Sequence, residues 1–280
     1  MSTTSSQIPQ ISLRDSDAIP QLGFGVFLIP RRETEKVVAQ ALSVGYRHID
    51  TAALYGNEAE VGQAIHASGL ERSEVFVTTK CFNEDHGYEQ AKRALSASLK
   101  RLQMDYVDLY LIHWPVPARD KYVETWKAFI DARAEGLVRS IGVSNFQPAH
   151  LERIIRETGE TPAVNQIELH PYLQQRGLRR EHEELGIVTE AWSPLARGKV
   201  VDDPAIVAIA QAHSKTPGQV AIRWHLQIGN VVIPKSVTPQ RIEQNFDVFD
   251  FELSAAEMQA IDELDAGERT GPDPDTFGGP

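Results

Sequence analysis

The sequence predicts an α/β chain folded as a single (β/α)8 TIM barrel, with an N-terminal β-hairpin before it and a C-terminal tail after it. Three observations lead there. Short apolar runs alternate with helically patterned stretches from about residue 23 to residue 264, with short connections and no linker. Counted along the chain they make eight strand-then-helix units, which a barrel of roughly 250 residues requires. The runs at 107–112 (Val-Asp-Leu-Tyr-Leu-Ile) and 163–169 (Ala-Val-Asn-Gln-Ile-Glu-Leu) are almost continuously apolar, as parallel strands covered on both faces must be. A doubly wound sheet is the alternative. It usually carries a glycine fingerprint, and Gly23-x-Gly25 lacks the third glycine and the helix start.

In chain order, residues 1–10 read as a loose tail. Ile11–Leu13 and Ala18–Pro20 pair as a hairpin across the polar turn 14–17. Gly23–Phe27 is the first barrel strand. Glu33–Val44 has apolar residues at 37, 38, 41 and 42 and ends at Gly45, so it is a helix. Strands then follow at Tyr46–Asp50, Val75–Thr79, Val107–Ile112, Val138–Val143, Ala163–Leu169, Ile187–Ala191 and Val231–Ile233. Helices separate them at Glu58–His66, Glu89–Leu102, Tyr122–Ala134, Pro148–Glu157, Gln174–Leu185, 203–213, 217–227 and Pro239–Phe246. A last helix spans Ala255–Leu264. Its start, Ser254-x-x-Glu257, is a capping box, as is Thr216-Pro-Gly-Gln219. Asn57 is expected to cap the helix from Glu58, with Glu60 completing a similar box. The whole of 1–280 reads as one domain, with 267–280 a Gly/Pro/Asp-rich tail.

Composition narrows the function. Twenty-eight basic against 39 acidic side chains give a net charge of −11, which argues against nucleic acid or an anionic membrane as the main partner. One cysteine in 280 residues excludes an intrachain disulfide framework and suits a reducing compartment. No apolar run approaches the ~20 residues of a membrane span, and the polar N-terminus lacks a signal-peptide core. The expectation is a cytoplasmic protein, monomeric, acting on a small molecule.

In a barrel the residues that close each strand share one mouth. Strand two ends in Asp50, with Tyr55 just beyond. Strand three ends in Lys80 and strand four in His113. A buried lysine must be paired, and Asp50 is placed to pair it. A nearby ammonium is expected to lower the phenol pKa from ~10, making Tyr55 a general acid near neutral pH. Each residue alone has a bland reading: a packed loop aromatic, a solvated strand end, a satisfied core histidine. Their meeting at successive strand ends favours chemistry. Asp50 with Glu58 could suggest a glycosidase pair, but Lys80 already claims Asp50. No histidine, cysteine or carboxylate spacing suggests a metal. Cys81, next to Lys80, should face the helices.

Gly45-Tyr-Arg-His-Ile-Asp50-Thr-Ala-x-x-Tyr55-Gly-Asn-Glu58, Ile141-Gly-Val-Ser-Asn145-Phe ahead of Leu151-Glu-Arg, and Ile233-Pro-Lys235-Ser236 are long, specific motifs. Through them the chain resembles the aldo-keto reductase family from about Ile11 to Leu264. The short loop after His113-Trp114-Pro115 is similar to the bacterial branch that includes the 2,5-diketo-gluconate reductases. The resemblance implies NADPH-dependent reduction of aldehydes or ketones, with Tyr55 the proton donor, Asp50 and Lys80 tuning it, and His113 orienting the carbonyl. It also implies that Ser144, Asn145 and Gln166 bind the nicotinamide carboxamide and Trp192 stacks on its ring. Ser193 and Leu195 would follow the pyrophosphate; Lys235, Ser236, Arg241 and Asn245 would bind the adenosine end. Physical reasoning supports that placement, because a helix start at Thr238-Pro239 suits an anion and a guanidinium suits a phosphate. Gln244 stands where the family often has an acid, and Trp192 where it often has tyrosine. Phe27, Phe82 and Trp114 would line an apolar substrate pocket, and the tail would fold over the mouth. Competing readings are a non-catalytic, cofactor-binding, redox-sensing subunit and a barrel hydrolase needing no cofactor.

Overall fold

The computed structural model describes residues 8–15 and 18–278. The expected loose tail at 1–7, the tip of the hairpin turn at 16–17 and the last two residues lie outside them. Strands β1 (Gln10–Ser12) and β2 (Ala18–Pro20) form the antiparallel hairpin. The barrel strands are β3 (Phe24–Gly25), β4 (His48–Asp50), β5 (Phe76–Cys81), β6 (Val107–Ile112), β7 (Val138–Ser144), β8 (Val164–Glu168), β9 (Val188–Trp192) and β10 (Val231–Val232). They pair in parallel in strict chain order. The circle closes through Gly23 N donating to Val232 O at 2.9 Å, Val232 N to Gln21 O at 2.9 Å and Gly25 N to Pro234 O at 3.1 Å. No edge strand is left between β3 and β10, which removes the exposed ladder that an open sheet must protect.

The crossover helices are α1 (Arg31–Val44), α2 (Glu58–Ala67), α3 (Tyr88–Leu102), α4 (Tyr122–Ala134), α5 (Pro148–Thr158), α6 (Arg176–Leu185), α7 (Pro204–His213), α8 (Pro217–Gln227) and α9 (Pro239–Phe246); α10 (Ala255–Asp262) follows. Alternation along β6 sorts the core into two. Tyr110 and Ile112 join the large cluster between strands and helices. Leu109 and Leu111 point inward to a second cluster with Phe76, Val164, Val231 and the hairpin residues Leu13 and Ile19. The hairpin therefore seals the end of the barrel away from the strand carboxyl termini. Gly23 has no room for a side chain, since a Cβ there would lie 2.5 Å from His48 Nδ1.

Several expected boundaries move for local reasons. Tyr46 lies in the turn that closes α1 and not in β4. Its amide closes on Ala41 O at 3.1 Å, past Gly45 at φ 126°, and its hydroxyl donates to Ile242 O at 3.3 Å. Lys80 and Cys81 fall within β5. The expected capping box at Asn57 is absent. The Asn57 side chain turns inward instead, donating to Val26 O at 3.1 Å and accepting from Thr51 Oγ1 at 2.9 Å. Asn57 thus ties the loops after β3 and β4 together beneath the mouth. The boxes at Thr216 and Ser254 form as expected.

Candidate active site

The carboxyl ends of β4, β5 and β6 bring Asp50, Lys80 and His113 together, with Tyr55 in the loop after β4. Lys80 is fully buried, with Nζ 2.7 and 2.8 Å from the two Asp50 oxygens and 2.9 Å from Thr51 O. Three acceptors thus take up the three ammonium protons, the condition under which a buried cation is tolerable. Burial pulls the Lys80 pKa down, but Asp50 and Tyr55 more than offset it and the net shift is upward. The side chain is a permanent cation. It lies 5.2 Å from the Tyr55 ring centroid.

The Tyr55 hydroxyl corrects the expectation of a lowered pKa. Burial outweighs the attraction of Lys80, and Asp50 adds to the upward push, so the phenol is raised to about 12. The half-buried ring packs against Phe27 (centroids 4.9 Å apart) and His113 (5.8 Å). Tyr55 at rest is therefore a protonated hydroxyl beside a cation, able to donate but reluctant to ionise without an acceptor. His113 is driven well below the ordinary imidazole pKa by burial, then by Lys80 and His86. It is neutral, so one ring nitrogen carries a hydrogen. Phe82 sits against His113 at 5.9 Å, and Trp114 lies 6.4 Å from Trp192. Phe27 thus lies against Tyr55 and Phe82 against His113, while Trp114 meets Trp192; Leu28 and Leu54, beside Phe27 and Tyr55 in the chain, are exposed.

The second half of the barrel collects the other predicted residues. Ser144 Oγ donates to Gln166 O at 2.8 Å, Asn145 Nδ2 to His113 O at 3.0 Å, and Trp192 Nε1 to Asn145 Oδ1 at 2.9 Å. Asn145 (φ 63°) and Ser193 (φ 51°) both adopt left-handed backbone, a cost that concentrates at functional loops. Leu195 lies half-buried beside Gly218, whose Asn245 neighbour is buried. Ser236 Oγ accepts from Thr238 N at 3.1 Å, ordering the loop into α9. Lys235 and Arg241 are exposed, and among the described residues neither makes an ion pair or a side-chain hydrogen bond.

Two carboxyls escaped the sequence reading. Glu190, on β9, is fully buried and accepts from Gln166 Nε2 at 2.9 Å; the same nitrogen donates to Asp50 Oδ2 at 2.8 Å. Burial, then the Asp50 charge, push the Glu190 carboxyl up to about 8. Its neighbours in sequence, Thr189 and Ala191, give no sign that the side chain points inward at the level of Asp50. Glu168, at the end of β8, holds the tail. It accepts from Thr270 N and Oγ1, both at 2.6 Å, and from Gly271 N at 3.1 Å. Burial opposes its charge, but His170, Thr270 and Gly271 outweigh that and the pKa falls below the ordinary value. Gly271 then presses on the Trp192 ring, and Phe277 packs on Trp114 at 4.5 Å. The tail does cross the mouth. Glu58 is disposed of as a glycosidase partner: it faces outward to Thr79 Oγ1 at 2.6 Å and Arg101 Nε at 2.6 Å. Cys81 is buried on the helix side, where burial raises its thiol to about 12.

A closed eight-stranded barrel with an acid, an ammonium, a phenol and a neutral imidazole at one mouth has the form of a barrel enzyme of the carbonyl-reducing class. Residues 21–266 match the Aldo/keto reductase family model, and the chain belongs to that family. It is 58% identical over 269 residues to an aldo-keto reductase of Mycolicibacterium smegmatis, covering 96% of this chain and 98% of that one. It is 54% identical over 271 residues to methylglyoxal reductase DkgA of Escherichia coli, with 96% and 98% covered. The crystal structure of a Gox0644 point mutant in complex with NADPH superposes with a TM-score of 0.93 at 50% identity, covering 96% of this chain and 98% of that chain. No helix among the described residues is long and apolar enough to cross a membrane.

Proposed function

We propose that the protein is an NADPH-dependent reductase that converts small aldehydes or ketones to alcohols, with α-dicarbonyls such as methylglyoxal as its substrate class. The observation that carries this reading is Lys80, fully buried and spent on Asp50 and Thr51 directly beside the Tyr55 ring. A permanent cation there has little use to a fold, because a buried ion pair rarely adds stability over apolar packing. It has a clear use in stabilising a phenolate that forms when Tyr55 gives its proton away.

The residues present fit the cofactor. Gln166 Oε1 accepts no hydrogen bond among the described residues and is available to a carboxamide, and the unpaired Lys235 and Arg241 are available to phosphates. In this reading Ser144, Asn145 and Gln166 serve the nicotinamide end, Trp192 its ring, Ser193 and Leu195 the pyrophosphate, and Lys235, Ser236, Arg241 and Asn245 the adenosine end. When bound, NADPH supplies the hydride that the carbonyl carbon receives. The chain's own work is the proton. His113, neutral, donates an N–H to the carbonyl oxygen and orients it. Tyr55 then transfers its hydroxyl proton to that oxygen as charge develops there. The Lys80 ammonium, held in place by Asp50, offsets the negative charge left on the phenol oxygen. Phe27, Phe82 and Trp114 exclude water from the carbonyl, and the half-open rim admits small substrates.

The test is cofactor consumption across a panel of methylglyoxal, a diketo-sugar acid and an aromatic aldehyde, with NADPH, NADH or no cofactor. NADPH oxidation fastest with methylglyoxal is expected. Tight NADPH binding without oxidation by any carbonyl would make the protein a cofactor-binding subunit, and turnover without cofactor would make it a hydrolase.

A further inference from the structure

Glu190 has no part in the proton transfer described above, yet it lies in the same buried network. Its strand, β9, carries it to the level of Asp50, and Gln166 bridges the two carboxyls with one amino group. An amide has two N–H donors and one carbonyl acceptor. With both donors committed to Asp50 Oδ2 and Glu190 Oε2, the Gln166 carbonyl oxygen is the only part of the amide left for a ligand. One acceptor alone would leave the amide free to swing. Two acceptors, from β4 and β9, fix it.

The second Glu190 oxygen has no hydrogen-bond partner, and its nearest basic atom is His48 Nε2 at 3.6 Å. His48 is itself buried and neutral, its pKa pulled down to about 3 by burial. Lys80 is the one cation in the network, and Asp50 already neutralises it. The groups facing Glu190 are therefore Asp50 and His48 from β4, Lys80 from β5 and Gln166 from β8, with Tyr55 beyond Lys80. None offers a second positive charge. Oε1 is thus the atom that keeps a proton, since Oε2 is occupied by the Gln166 N–H.

We infer that Glu190 is a positioning residue for carbonyl reduction: protonated on Oε1, it anchors the Gln166 amide so that the amide oxygen faces the nicotinamide carboxamide, and its ionisation places a second negative charge behind Asp50 that weakens Tyr55 as an acid. The inference rests on the reductase reading given above. The sign of the second effect follows from the network. A Glu190 carboxylate is one of the charges that push the Tyr55 hydroxyl up, the smallest of the causes named for it, so proton donation becomes harder as pH rises through the Glu190 transition. Turnover should therefore fall on the alkaline side of neutrality before Tyr55 itself titrates.

Three variants of the full chain separate this role from simple core packing. Glu190→Ala removes the anchor, and the NADPH dissociation constant should rise on the order of tenfold, the worth of about one hydrogen bond. Glu190→Gln keeps an acceptor for Gln166 and cannot ionise, so it should recover most of that loss and flatten the alkaline fall in kcat. Glu190→Leu, of similar bulk, should behave like Glu190→Ala in cofactor affinity while its melting temperature reports on packing. Difference infrared spectra of the ligand-free protein, wild type against Glu190→Gln, should show the carbonyl stretch of a protonated carboxylic acid at neutral pH, lost in the variant. A missing band, or an alkaline limb identical in wild type and Glu190→Gln, would overturn the inference. So would folded Glu190→Ala protein that binds NADPH as the wild type does. Failure of the wild type to reduce any carbonyl would instead remove the reductase reading, and the infrared and binding results would still report on Glu190.

Discussion

The two halves of the barrel mouth handle charge in opposite ways. At the ends of β4 to β6, the charged groups are buried and mutually satisfied: Lys80 and Asp50 meet at 2.7 Å with exposures of 0% and 2%. In the loop after β10 and on the α9 that follows it, Lys235 and Arg241 stand exposed with no acidic partner among the described residues, in a chain whose net charge is −11. A site that moves a proton gains from fixed dipoles in a dry setting, because nothing then has to reorganise during reaction. A site that captures an anion gains from cations that are not already spent. The same fold supplies both because each strand end is an independent position on a shared rim.

The comparison can be broken at either side. The largest effect is expected at Lys80. Lys80→Met should abolish detectable carbonyl reduction and lower stability by about 3–5 kcal/mol, the typical cost of removing one member of a buried pair; chemical denaturation measures it. A stable, active variant would mean that the buried half is only packing. Next comes Arg241→Ala, which should weaken NADPH about ten- to a hundredfold, as for loss of a charge-assisted hydrogen bond, while NADH affinity and melting temperature hardly change. Equal weakening of both cofactors, measured by fluorescence titration, would detach Arg241 from the phosphate that distinguishes them.

Smaller effects sharpen the picture. Phe277→Ala removes the tail's contact with Trp114, and should raise the KM for small carbonyls a few-fold with kcat nearly intact. A change in kcat alone would place the tail in the chemistry and not over it. Acid should act on both halves alike. His48 beneath Asp50 and His225 on α8 are buried neutral, each with a pKa pulled down to about 3 by burial. The unfolded chain binds protons at these residues below their ordinary value of 6.5 and the folded chain does not. Stability is therefore expected to be full above that value and to decline as pH falls toward 3. Thermal melts across that range check it, and a flat melting temperature would contradict the assignment of both as neutral.

Much of this was legible in the chain because repetition is a one-dimensional signal. The strand-helix alternation gave eight units, and strand ends located Asp50, Lys80 and His113 without any coordinates. Pairing of Lys80 with Asp50 followed from the cost of burying a lone ammonium. What stayed hidden depends on direction and depth. Asn57 looks like a cap by spacing, but its side chain points inward to Val26. The Tyr55 shift reverses because burial, which no spacing encodes, outweighs Lys80. Glu190 was invisible because a glutamate between threonine and alanine reads as a solvated strand position. The left-handed backbone at Ser193 likewise leaves no mark, since serine, unlike glycine or asparagine, has no special ease in that region.

The most direct test of the account is a single-turnover measurement of NADPH oxidation by methylglyoxal, with wild type and Tyr55→Phe at equal cofactor saturation. General acid catalysis is worth about 10²–10⁴ in rate. The account predicts a loss of that order in the variant, with NADPH affinity unchanged. A variant that keeps most of the wild-type rate would show that the proton comes from elsewhere, and the role assigned to the buried Lys80–Asp50 pair would fall with it.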